Sequence, residues 1–147
     1  MTGDEQVRAR VMAGGRRRAL DLTADECWTL LGGVPVGRVV FTMEAMPAIR
    51  PVNHLVDGKT IVVRSHLGSA ITGYAGRDGA MVCYEADELD PLHRTGWSVM
   101  VTGAARLVQD AVARARYECL LTSWSASRME FVIAIEPAFI SGIRLVA

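Results

Sequence analysis

The residues best equipped for chemistry stand close together in one stretch, Ile49 to Ser69. Arg64, Ser65, Gly68 and Ser69 supply a cation, two hydroxyls and a pliable backbone. Such a set can hold a phosphate, because a guanidinium pairs with its charge while hydroxyls and backbone amides donate to its oxygens. Upstream, Arg50 and Asn53 flank Pro51 and Val52, an apolar surface with a cation at one end and an amide at the other. The other reactive side chains are scattered. His54, His66 and His93 are isolated and read as structural or solvated. There is no Ser-His-Asp pattern, no H-E-x-x-H, no glycine-rich nucleotide loop and no carboxylate pair at helical spacing, so no catalytic side chain is assigned. Asp87, Glu88 and Asp90 do not follow the spacing of a calcium loop and read as a solvated loop, and no metal site is expected. Cys27, Cys83 and Cys119 are odd in number and far apart, which leaves neither a disulfide framework nor a Cys-x-x-Cys pair.

The elements that must position these residues are mostly strands. Asp57-Gly58 separates two β-type runs, Ile49 to Val56 and Lys59 to Ser65, and marks a hairpin. A short helix is expected over Ser69 to Tyr74, so the second strand meets it at a corner. Thr23 and Glu26 form a capping box that starts a helix carrying Cys27, Trp28, Leu30 and Leu31 and ending at Gly32-Gly33. Val36 to Met43 reads as the first strand, with a turn at Met46-Pro47. Further strands are expected over Gly79 to Glu85 and Trp97 to Gln109, the latter the longest and bulged or closely approached at Gly103-Ala104-Ala105. Asp110 caps a helix over Ala111 to Leu121, and two last strands, Phe131 to Glu136 and Phe139 to Val146, are separated by Pro137. The expected fold is mainly β with a few short helices, a barrel of six or seven antiparallel strands.

The chain has 147 residues, half of them apolar and 22% charged, with 16 basic and 16 acidic side chains. That is enough for one domain with a real core, read as 20–147 after an N-terminal extension over 1–19. The formal net charge of zero argues against a nucleic-acid footprint. The basic run Arg16-Arg17-Arg18 reads as a solvated entry to the fold. No run is apolar enough to span a membrane or to serve as a signal, and a cytoplasmic location is expected. Ile61-Val62-Val63 and Trp97 to Val101 look apolar on both faces, and a homodimer is the simplest cover for them.

Four segments in order, the Arg64 to Ser69 corner, Met81 to Asp87, Gly96 to Ala105 and Glu136 to Arg144, resemble the flavin-binding split β-barrel family of pyridoxamine 5′-phosphate oxidase, especially its short actinobacterial, nitroimidazole-reductase-like branch. The resemblance covers roughly Leu20 to Val146. It implies an FMN-binding split barrel that works as a homodimer with the cofactor at the interface. Arg50, Pro51, Val52 and Asn53 then meet the flavin ring, Arg64, Ser65, Gly68 and Ser69 meet the ribityl phosphate, and Trp97 and Ser98 close the site from the facing subunit. Many relatives follow the Gly-Ser step with a basic residue where this chain has Ala70 and Ile71, which leaves deazaflavin, haem or no cofactor open beside FMN. Two functions follow from the resemblance: an FMN- or deazaflavin-dependent oxidoreductase of a small conjugated substrate, or a non-catalytic flavin- or haem-binding protein for storage or sensing.

Overall fold

The computed structural model describes residues 18–73, 79–122 and 130–147. Arg16, Arg17, Tyr74 and Arg77 lie outside the described residues, and with them most of the basic run. Seven strands and three helices follow in the order β1 (Arg18–Asp21), α1 (Ala24–Gly32), β2 (Val36–Met43), β3 (Met46–Asp57), β4 (Thr60–Ser65), α2 (Gly68–Thr72), β5 (Ala80–Asp90), β6 (Thr95–Leu107), α3 (Ala111–Leu120) and β7 (Phe131–Val146). The sheet runs β1-β7-β4-β3-β2-β5-β6, and β7 also pairs with β6. That second pairing closes the sheet into an antiparallel barrel and leaves β1, which pairs with β7 over Arg18 to Asp21, on the outside.

Alternation along the strands fills the barrel. Val39 and Phe41 of β2, Ile61 and Val63 of β4, Val82 and Tyr84 of β5, Trp97, Val99 and Val101 of β6, and Ile133 and Ile135 of β7 form one buried core. The helix α1 plugs one end through Cys27 and Leu31. Its capping box is formed as expected: the Glu26 amide donates to Thr23 Oγ1 at 3.2 Å and Glu26 Oε1 faces the Thr23 amide at 3.4 Å. The Asp110 cap also forms, with the Ala113 amide donating to its carboxylate at 2.9 Å.

Several expectations are corrected. The first turn is Glu44-Ala45, both at positive φ, and Met46-Pro47 already belong to β3. The second hairpin closes between Asp57 and Thr60, so only Gly58 of the Asp-Gly pair takes positive φ. The acidic run after Glu85 is strand: β5 continues to Asp90, with Glu88 opposite Trp97. Pro137 does not divide the last strand. β7 runs unbroken for 16 residues and is the longest, and Pro137 is accommodated at a bulge where Thr102 faces Phe139 and Gly103 faces Pro137. Gly103 is needed there, since a Cβ would lie 1.9 Å from the Glu136 carbonyl oxygen. Finally, Ile61, Val62 and Val63 are all fully buried within one chain. Val62 packs with Leu121 and Val132, and with Tyr117 of α3, on the outside of the barrel, so no second subunit is needed to cover β4.

Candidate functional site

β3 and β4 carry the nominated residues to one place because their register is tied on both sides. Pro51 pairs with Arg38 and Asn53 with Val36 across β2–β3, and His54 pairs with Val63 across β3–β4. Where β4 ends, a groove of about 280 Å³ is lined by Arg50, Pro51, Val52, Asn53, Arg64 and Ser65, together with His66 and Glu130. Two other cavities are larger. One of about 420 Å³ lies beside Thr72, Ala105 and Arg106, and one of about 440 Å³ beside Trp97 and Arg144. The β3–β4 groove is the candidate site because it combines an exposed cation, an amide and an apolar floor on rigid strands.

The remaining nominated residues lie elsewhere on the chain. Gly68 is buried against Phe131, whose ring would sit 2.5 Å from a Cβ at that position. Its glycine therefore serves the close approach of α2 to β7. Ser69 is exposed and outside the groove lining. Trp97 is a core residue that also edges the 440 Å³ cavity, and Ser98 lies opposite Asp87 and Ile143.

Within the groove, the polar groups are already at work. Arg64 Nη1 donates to the carbonyls of Leu121 at 2.8 Å and Glu118 at 3.3 Å, and its Nε lies 3.3 Å from Glu130 Oε2. These contacts satisfy carbonyls at the C-terminal end of α3, which lack partners inside the helix. Asn53 Nδ2 donates to the Thr122 carbonyl at 2.8 Å, anchoring the same stretch. Ser65 Oγ accepts from the Leu67 amide at 3.0 Å and shapes the turn into α2. Arg50 is exposed, with one bond from Nη1 to the Ile49 carbonyl at 2.7 Å. Of the two groove arginines, Arg50 is thus the one presented to solvent, and Arg64 is tied to the fold.

Next to the groove residue Asn53, His54 points into the barrel and is satisfied there. Its Nε2 lies 2.7 Å from the Leu31 carbonyl, which can only accept, so Nε2 carries the proton. Nδ1 is then an acceptor, and the buried Tyr84 hydroxyl donates to it at 2.5 Å. Burial lowers the His54 pKa and raises that of Tyr84, each toward its neutral form. His54 is therefore a structural residue, as its isolation in sequence suggested.

On the outer face beyond the groove, Arg38 of β2 bridges two acids of β5, Glu85 at 3.2 Å and Asp87 at 3.4 Å. Partial burial, and then the hydrogen bond and charge of Asp87, push the Glu85 carboxyl up to about 7 against the pull of Arg38. Around this triad the face is apolar and open: Ile49 is 53% exposed, Met81 60%, Met100 42% and Phe139 58%. Registers place Pro51, Arg38, Glu85, Met100 and Ser141 in one row across five strands, so this face runs continuously into the groove.

Sequence reasoning missed Glu130 and His66 as groove residues. Glu130 is brought in by pairing of β4 with β7, where Arg64 faces Val132, and nothing local to residue 130 signals it. Among the described residues there is no cluster of His, Cys, Asp or Glu fit to hold a metal ion. Nor is any described helix long and apolar enough to cross a membrane.

Comparison with known proteins bears on the family and the fold. The family model of pyridoxamine 5′-phosphate oxidase matches residues 23–144. An uncharacterised protein of Mycobacterium tuberculosis is 48% identical over 134 residues, covering 89% of this chain and 88% of its own. Among solved structures, a candidate pyridoxamine 5′-phosphate oxidase from Corynebacterium glutamicum aligns with TM-score 0.75 at 28% identity, over 88% of this chain and 99% of that one. An FAD-binding protein from Mycobacterium smegmatis aligns with TM-score 0.67 at 32% identity, over 86% of this chain and 98% of its own.

Proposed function

The chain belongs to the pyridoxamine 5′-phosphate oxidase family, and on that premise we propose that it is a flavin-dependent oxidoreductase whose β3–β4 groove receives the flavin ring and whose substrate is a small conjugated molecule. The observation that carries this reading is the gathering of Arg50, Pro51, Val52 and Asn53 along one strand edge at the groove. The FAD bound by the Mycobacterium smegmatis relative supports a flavin as the ligand.

The residues present fit such a ring. Pro51 and Val52 offer an apolar surface, Arg50 a solvent-facing guanidinium, and Asn53 a carbonyl Oδ1 that can accept from a ring N–H while its Nδ2 holds Thr122. A bound flavin would supply the transfer of electrons, which no protein side chain here can do. The chain's own part is to orient the ring and to place positive charge near its pyrimidine edge, so that added negative charge is stabilised. Arg50 is the residue for that role.

A second copy completes the site. At about 280 Å³ the groove falls just short of the ~300–1,000 Å³ typical of sites that enclose a ligand of this size. Its open side continues into the apolar face around Met100 and Phe139, which a soluble monomer would leave to water. The face is not the one the β4 run suggested, since α3 covers that one. A homodimer closed through Ile49, Met81, Met100 and Phe139 would cover this surface and wall the groove.

Titration of the purified protein with riboflavin and FMN, followed by flavin fluorescence, tests the reading. Quenching should saturate, Arg50→Ala should weaken it, and a reduced nicotinamide should bleach the bound flavin. Failure of any flavin to bind would overturn the reading, and a flavin that binds but is never reduced by a reduced nicotinamide would leave a binding protein in place of an enzyme.

A further inference from the structure

We propose that Glu130 sets the charge preference of this groove: by holding Arg64, it makes the groove favour a flavin whose end within the groove is uncharged over one that places a terminal phosphate there. The inference rests on the groove being the flavin site and concerns which flavin it takes.

The geometry around Arg64 carries it. The guanidinium has five N–H donors in a fixed fork. Nη1 serves the Leu121 and Glu118 carbonyls and Nε faces the Glu130 carboxylate, so the donors outside these contacts are on Nη2. The pair is largely withdrawn from solvent, with side-chain exposures of 18% for Arg64 and 6% for Glu130. Charge withdrawn to this extent is weakly screened, so the two ions act on a third charge nearby as a nearly neutral unit. Among the described acidic and arginine side chains lining the groove, Arg50 is then the one that carries charge outside this pair.

A terminal phosphate carries about −1.5 to −2 at neutral pH. Placed near Arg64 it would gain one partly committed cation and meet the Glu130 carboxylate at close range. To pair with it fully, Arg64 would have to turn away from the Glu130 carboxylate and release the carbonyls that end α3. The other polar groups nominated for a phosphate bring no charge to offset this: Ser65, whose Oγ accepts from the Leu67 amide, has one neutral hydroxyl proton to donate, Ser69 lies outside the groove, and Ala70 and Ile71 carry no charge. A ribityl chain, with hydroxyls alone, incurs none of these costs and can still bond to Nη2 of Arg64 and to the Glu130 carboxylate.

The test compares riboflavin and FMN in wild type, Glu130→Gln and Glu130→Asp, at low salt, by fluorescence titration, with melting curves to establish folding. In wild type, riboflavin should bind at least as tightly as FMN. Glu130→Gln keeps the shape of the side chain but releases the charge of Arg64. It should move the ratio of the two affinities toward FMN by about tenfold, the change expected from one hydrogen bond to a charged group. Glu130→Asp, which keeps the charge, should stay near the wild-type ratio. Inorganic phosphate should begin to compete with riboflavin in the Gln variant only. A role for Glu130 in folding alone would weaken both ligands equally and leave the ratio unmoved, which would overturn the proposal. Should the Gln variant not fold, wild type still decides: FMN binding tenfold or more tightly than riboflavin would refute the inference while leaving the flavin site intact. Absence of binding by either flavin would instead refute the flavin site, and this inference with it.

Discussion

Replacing His54 by Leu should unmask the energetic role of the Leu31–His54–Tyr84 hydrogen-bond chain inside the barrel. Leu fills a similar volume, so the main loss is two hydrogen bonds, one to the Leu31 carbonyl and one from the Tyr84 hydroxyl. Leaving a buried polar group unsatisfied costs about 1–3 kcal/mol. The two orphans differ in what they can do next. Leu31 is near the end of α1, where the carbonyl can turn toward water if the last turn loosens, so its cost falls near the lower bound. Tyr84 is fully buried between strands and has no such escape, so its cost falls near the upper bound. The sum is about 4 kcal/mol, which at a urea slope of about 2 kcal/mol/M lowers the unfolding midpoint by about 2 M. Tyr84→Phe alone should cost about 1–3 kcal/mol, because it leaves Nδ1 without a donor. The double variant removes both partners and should be less destabilised than the sum of the singles by about 1–2 kcal/mol. Acid adds a second signature. Burial lowers the His54 pKa in the folded state, so the unfolded chain binds its proton first. Stability is therefore retained above the unfolded value of about 6.5 and declines as pH falls below it, by at most about 1.4 kcal/mol per pH unit. Urea midpoints measured near pH 7.5 and near pH 5 should show that decline in wild type relative to His54→Leu. Additive single-variant effects, or an equal acid response in the Leu variant, would refute the assigned tautomer and the chain built on it.

Glu85 works in the opposite direction: its folded pKa, about 7, lies above the ordinary carboxylate value, so the folded state gains from its proton and loses stability as pH rises from the ordinary range through 7. Glu85→Gln should accordingly gain on wild type in chemical denaturation between mildly acidic and mildly alkaline pH, and no relative gain would contradict the partial burial beside Asp87. Gly103→Ala places a Cβ against the Glu136 carbonyl and should cost about 1–3 kcal/mol or more, seen as a melting temperature lower by several degrees; an unchanged melting curve would mean that the β6–β7 bulge relaxes freely. Phe139→Asp puts charge into the open apolar face, and light scattering should report a folded monomer where wild type reports twice the monomer mass; a dimer that survives it would shift the interface elsewhere.

What sequence disclosed best was chemistry confined to neighbours. Thr23 and Glu26 are three residues apart and make their bonds to each other, so the start of α1 is visible without the rest of the fold. Gly103 was legible for a related reason: a residue without a side chain amid a bulky strand signals that something comes close, even though Glu136 could not be named. Errors came where a distant partner overrides local preference. Glu88 and Asp90 look like a loop because charges are rare in strands, yet β6 pairs with them throughout, Glu88 opposite Trp97 and Asp90 opposite Thr95. Glu44-Ala45 adopts a turn that usually asks for Gly or Asn, and the pairing of β2 with β3, up to Met43 opposite Met46, holds it there.

The candidate site shows the same division inside a single residue. Arg64 was readable as a cation at the end of a strand, and its type does suit an anion. Its availability was not readable, because that depends on Glu130 and on the carbonyls of Glu118 and Leu121, more than fifty residues away and delivered by β7 and α3. Arg50 presents the reverse case: it looks like an ordinary exposed arginine, and it stands out in the groove because Arg64 is tied to the Leu121 and Glu118 carbonyls and faces Glu130. Net charge in a site is a property of pairs. A sequence supplies the members, whereas register decides which are paired, so a site assigned from residue types alone will overcount its cations wherever a strand from far along the chain brings a carboxylate to the same edge.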